Sequence, residues 1–174
     1  SYITLGVALA SSMGILGGGL HVVMHAMGKI TLFMCAGSIY VATHRTEISQ
    51  MTGLGRRMPI TFIAFLIGAL SIIGLPPLGG SWSKWLLMVG VVDAEHLFIL
   101  GVLLVSSLLN VAYLLPLVAK GFFLSNDTDA ELAQSAEASP LVWGPPAATA
   151  FGCVVLFFYA GHIQDFLMPI VATN

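Results

Sequence analysis

The sequence predicts an all-α, polytopic transmembrane helix bundle of about four to five spans, one of them a broken helix. Composition is the first observation behind this. Of 174 residues, 57% are hydrophobic and only 8% are charged, against about 25% charged in a soluble domain. A chain so poor in charge cannot cover a water-facing surface. The second observation is length: several apolar stretches approach the roughly 20 residues needed to cross a bilayer as helix. The third is Gly74-Leu75-Pro76-Pro77-Leu78-Gly79-Gly80, a run that interrupts an apolar stretch too long for one crossing.

The elements follow in order. Residues 2–18 read as a glycine-rich, truncated span. Gly14 and Gly18 form a small-xxx-small pair that permits close helix packing, and Gly17-Gly18-Gly19 is expected to end the helix. Residues 20–43 form the next span. Residues 44–58 are a polar loop with Arg45, Glu47, Arg56 and Arg57, and Pro59 suits the first turn of the helix that follows. As one helix, residues 59–92 would extend roughly 50 Å, against a hydrocarbon core of about 30 Å. The break at Gly74, Pro76, Pro77, Gly79 and Gly80 resolves this into half-helices at about 59–74 and 81–91, because adjacent prolines remove two backbone donors. Such a break is tolerated at membrane depth only inside protein or beside a polar cavity. Residues 97–119 make a further span containing Asn110 and Pro116. Residues 141–164 make the last, with Pro145-Pro146 near its start and with His162 and Asp165 at its interfacial end.

The organisation expected is therefore a translocating part over 1–123, a polar loop over 124–140, and a last helix with its tail over 141–174. Basic residues concentrate in loop 44–58, with Lys120 before the second polar loop and no Lys or Arg in 92–96. By the positive-inside rule, loops 44–58 and 120–140 face the cytoplasm. The chain starts without Met or a basic leader and enters an apolar stretch almost at once, as expected of a C-terminal piece of a longer or split chain. Cys35 and Cys153 lie in apolar spans and read as small buried residues. Net charge is −2 with six Lys and Arg, so nucleic acid is not implied.

Four ionisable residues lie inside apolar spans: His21, His25, Lys29 and Lys84. Such groups cost several kcal/mol at membrane depth and usually line ion or proton paths. The first three, at i, i+4 and i+8, drift only about 40° per step and climb about 12 Å in all. Imidazole suits a relay because its two nitrogens accept and release a proton on opposite sides. Lys84 follows the break. No acid lies in these spans to pair with the lysines, so any counter-charge comes from elsewhere. A metal site is not expected, because the two histidines lack a carboxylate or cysteine on their face. Lysine snorkelling to the interface, an interfacial His21 and a purely structural kink are the bland alternatives.

The segments HVVMHAMGKITLFMCAGSIYVATH and MTGLGRRMPITFIAFLIGALSIIGLPPLGGSWSKW closely resemble the antiporter-like subunits shared by respiratory complex I and Mrp-type cation/proton antiporters. The likeness is nearest to the D-type member of the Mrp antiporter subunits and covers about residues 1–123. It implies two inverted five-helix repeats in the whole subunit, with this chain holding the end of the second. It also implies that His21, His25, Lys29 and Lys84 are proton-path residues. The function implied is proton translocation within a multi-subunit cation/proton antiporter, with other membrane subunits as partners, a monovalent cation such as Na exchanged, and no cofactor. A bacterial inner membrane is the expected location. The alternatives are a proton-pumping subunit of a complex I-type or hydrogenase-type redox complex, in which case the parent complex would be a translocase enzyme, and a non-conducting structural stub.

Overall fold

The computed structural model describes residues 1–124 and 137–172. The polar loop expected at 124–140 lies mostly outside them. Among the described residues every regular element is helical: α1 (Tyr2–Ala8), α2 (Ser12–Thr43), a 3-10 turn (Ile48–Met51), α3 (Leu54–Arg57), α4 (Pro59–Ile73), α5 (Gly80–Asp93), α6 (Leu97–Phe123) and α7 (Pro140–Ala172). Helices α2, α6 and α7 are long and apolar enough to cross a membrane. Helix α4 is apolar but shorter, and α5 follows it after the break. Many of the most exposed side chains are large and apolar, among them Phe98, Phe123 and Phe166, as lipid-facing surfaces require.

The start of the chain differs from the sequence expectation. Helix α1 stops at Ala8, and α2 begins at Ser12 and runs straight through Gly17-Gly18-Gly19. Ser11 supplies the cap: its backbone is extended and its hydroxyl accepts from the Gly14 N–H at 3.1 Å, the usual N-cap bond. The glycines serve packing instead of termination. A Cβ on Gly17 would lie 2.8 Å from the Leu87 backbone nitrogen, and one on Gly18 3.3 Å from Gly6. Helix α2 is thus the central element, touching α1, α4, α5 and α7. At about 1.5 Å per residue its 32 residues extend roughly 48 Å, so it tilts or projects beyond the hydrocarbon core.

Helix α4 ends where its sequence says it must. Gly74 takes the left-handed conformation (φ 90°), and the N–H groups of Gly74 and Leu75 both reach the Leu70 carbonyl at 2.9 and 3.1 Å, the latter as in a Schellman ending. Pro76-Pro77 follow through a cis bond. The segment then turns back. Gly79 donates to the Cys153 carbonyl of α7 at 3.1 Å, and Gly80, the first residue of α5 and not part of the break, lies against the Ser71 carbonyl. Helix α5 therefore starts beside the last turn of α4. The break is not wholly enclosed: Leu75, Pro76 and Pro77 are exposed on this chain, while Leu78, Gly79 and Gly80 are buried. Prolines leave no unpaired N–H, which lessens the cost of that exposure.

The last helix is longer than the span expected at 141–164, and Pro145 and Pro146 lie within it. Pro146 cannot donate to the Val142 carbonyl four residues earlier. That carbonyl is met at 3.1 Å by the Ser38 hydroxyl of α2. The main apolar core joins α2, α4, α6 and the 51–58 segment around Phe62, Leu54 and Met58. A smaller one joins α2 and α7 through Leu20, Met24 and Ala160. At one end of the bundle, Gly53 N–H meets the Lys120 carbonyl at 3.2 Å and Arg56 Nε meets that of Phe122 at 2.8 Å. Loop 44–58 and the C-terminal end of α6 therefore share one side. Both cysteines are free and buried.

Candidate functional site

Because α2 begins at Ser12, His21 is its tenth residue and lies about 14 Å along the helix. His21 is therefore more than two helical turns inside α2, not at its start. His21 is 5% exposed, and its Nδ1 lies 2.9 Å from the Ser83 hydroxyl of α5. The His25 ring stacks on that of His21 at 5.1 Å between centroids. His25 is half-buried and Lys29 is exposed, its ammonium 5.6 Å from the Phe33 ring. The ladder thus leaves the core as it climbs, because two steps of about 40° turn its last rung by about 80°. All three side chains line one cavity of about 540 Å³, which Asn110 of α6 and Ser106 also face.

Lys84 lies in the second turn of α5 and is 7% exposed. Its Nζ donates to the Ile73 carbonyl at 2.9 Å and to the Ser107 hydroxyl at 3.0 Å, and stands 5.0 Å from the centre of the Tyr2 ring. The Ile73 carbonyl is available because α4 ends there: Gly74 turns left-handed, and the carbonyls of a helix's last turn have no partner within it. It also belongs to the C-terminal end of a half-helix, where the peptide dipoles leave partial negative charge. The missing counter-charge is therefore a helix end, a π face and a hydroxyl. Lys84 lines a second cavity, of about 550 Å³, with Ser107, Trp82, Trp85 and Gly74.

The structure brings His21 and His25 together and sets Lys84 in a separate, adjoining cavity. It does not bring Lys29 to Lys84: Lys29 sits at the rim of the first cavity and Lys84 inside the second. Sequence reasoning missed Tyr2, Ser83, Ser106 and Ser107. The serines had a weak signal, as polar residues in apolar helices. Tyr2 had none apart from being an aromatic hydroxyl at the edge of an apolar stretch.

With this geometry in view, likeness to known proteins is decisive. Residues 1–110 match the family described as NADH:quinone oxidoreductase/Mrp antiporter, transmembrane. The chain belongs to that family. Subunit N of NADH-quinone oxidoreductase from Desulforudis audaxviator is 39% identical over 121 residues, covering 70% of this chain and 24% of that protein. Among solved structures, the Mrp complex of a Dietzia species aligns with a TM-score of 0.86 at 22% identity, over 98% of this chain and 40% of that one. Respiratory complex I from Thermus thermophilus with bound NADH aligns equally well, at 23% identity, over 98% of this chain and 35% of that one. At such identities these two establish the fold alone. The chain spans about a quarter of the length of the oxidoreductase relative.

Proposed function

We propose that this chain carries protons across a membrane as the later part of an antiporter-like subunit within a multi-subunit complex. Protons pass through His21, His25 and water in the first cavity and through Lys84 in the second, with Lys29 at the outer rim of the ladder. The observation that carries the reading is the buried Lys84 beside the α4–α5 break. A structural kink needs no ammonium group there, and the bonds to Ile73 and Ser107 hold one in place without an acid to fix its charge permanently. Gly74, Pro76, Pro77 and Gly79 serve the site by ending α4 so that the Ile73 carbonyl is left for the lysine.

Two parent complexes suit this reading. One is a cation/proton antiporter of Mrp type, with this chain in its D-type position by sequence likeness, exchanging a monovalent cation such as Na in a bacterial inner membrane. The other is a redox-driven proton pump, and the 39% identity to an oxidoreductase subunit favours it. Co-purification separates them: redox subunits carrying electron-transfer centres accompany the chain in the second case only. In either complex, Lys84→Ala abolishes coupled proton transport in vesicles while the subunits still assemble. Lys84→Arg also impairs it, since arginine does not release its proton. Normal coupled transport in a fully assembled Lys84→Ala complex refutes the site and leaves a structural role.

A further inference from the structure

Among the described residues, Tyr2 lines both the histidine cavity and the Lys84 cavity. Its ring centre lies 5.0 Å from that of His21, tilted by 40°, and 5.0 Å from the Lys84 ammonium. Its hydroxyl donates to the Ser106 hydroxyl at 2.9 Å. Ser106 precedes Ser107, the hydroxyl that receives Lys84. The ring therefore stands between the two cavities, and its outer end is fastened to the α6 segment that also holds the lysine.

Ser83 offers no equivalent passage. Its hydroxyl is taken up by His21 and by the Gly80 carbonyl at 3.1 Å, one turn back in its own helix. It ties the first histidine to α5 and does not touch the Lys84 ammonium.

From this placement we infer that Tyr2 is the gate between the two cavities. An aromatic ring conducts no protons, so a continuous water chain from His21 to Lys84 requires the ring to move aside. Its hydroxyl bond to Ser106 and the contact of its ring with the Lys84 ammonium hold it across the passage. Breaking the hydroxyl bond and turning the side chain joins the cavities. Both events are small: a neutral hydrogen bond contributes only about 1 kcal/mol net, and side-chain rotation is fast compared with transport. While closed, the ring face also steadies the lysine ammonium through a cation–π contact. The gate rests on the reading that the two cavities carry protons.

The test is passive proton leak in proteoliposomes containing the assembled complex. A pH gradient is imposed with neither exchangeable cation nor electron donor present, and its decay is followed with a pH-sensitive dye. Tyr2→Phe keeps the ring and loses the tether, and it should raise the leak about fivefold, the equivalent of one lost hydrogen bond of about 1 kcal/mol. Tyr2→Ala removes the ring and should raise it further. Adding Lys84→Ala to Tyr2→Ala should return the leak towards wild type, because the opened route ends at Lys84. An unchanged leak in Tyr2→Ala overturns the gate, and so does a leak that the added Lys84→Ala leaves undiminished, which marks damage to packing. Lys84→Ala alone separates the two claims. If it transports normally, the site reading fails. If it is inactive while Tyr2→Ala does not leak, the gate alone fails.

Discussion

Gly80→Ala should be among the most damaging single-methyl changes in this chain. An added Cβ would lie 1.8 Å from the Ser71 carbonyl oxygen, whereas real Cβ contacts essentially never fall under 3.0 Å. The two atoms must separate by about 1.2 Å, and neither partner is a side chain free to rotate: one is the first residue of α5, the other a carbonyl of α4. Overpacking that side chains can absorb costs about 1–3 kcal/mol. Here the helices themselves must part, so the cost should reach at least about 3 kcal/mol. For a domain of this size, that is a fall in midpoint of about 6–12 °C. Thermal unfolding in mild detergent, followed by tryptophan fluorescence, measures it, since Trp82 and Trp85 lie on α5 itself. Gly101→Ala is the control. It lies inside α6 with nothing within 4 Å of the new methyl, and alanine is favoured over glycine in a helix by about 1 kcal/mol, so its midpoint should hold or rise. A Gly80→Ala protein as stable as wild type, or a Gly101→Ala protein equally damaged, would refute the account of how α5 is seated against α4.

Two further changes test contacts away from the proton path. Glu137 caps α4, accepting from the Ile60 N–H at 3.0 Å and from the Thr61 hydroxyl. Glu137→Ala should cost about 0.5–2 kcal/mol and speed amide hydrogen exchange at Ile60. Ser38→Ala leaves the Val142 carbonyl with neither Pro146 nor a hydroxyl to meet it, and should lower stability by about 1 kcal/mol while exchange rises at the start of α7. An unchanged exchange pattern in either variant would show that water or another group replaces the lost partner.

The α4–α5 break was legible because its signals are local: two prolines and flanking glycines act on the residues beside them. The α1–α2 boundary was misread for the opposite reason. Gly17, Gly18 and Gly19 look like terminators in isolation, and only the approach of Leu87, Gly6 and Leu167 reveals them as contact points. Ser11, the residue that sets the start of α2, is a known capping type and was the available clue. Spacing placed His21, His25 and Lys29 near one face, yet the 40° drift per step matters only when the width of the buried face is known, so the exposure of Lys29 could not be read. The partners of Lys84 were also hidden. Ile73 offers a backbone atom, while Tyr2 and Ser107 come from other helices, at separations no local pattern encodes.

The bond from Lys84 to the Ile73 carbonyl has a genetic consequence. A lysine normally advertises its partner through an acidic residue that can be mutated, or that changes in step with it. Here the acceptor is main chain, identical whatever side chain occupies position 73. It is left vacant because α4 ends at Gly74. Replacing residue 73 would leave the acceptor in place, while any residue other than glycine at 74 strains the left-handed turn that frees it. A screen for the lysine's partner would therefore point to a glycine that the lysine is not bonded to, and pass over the residue that holds it.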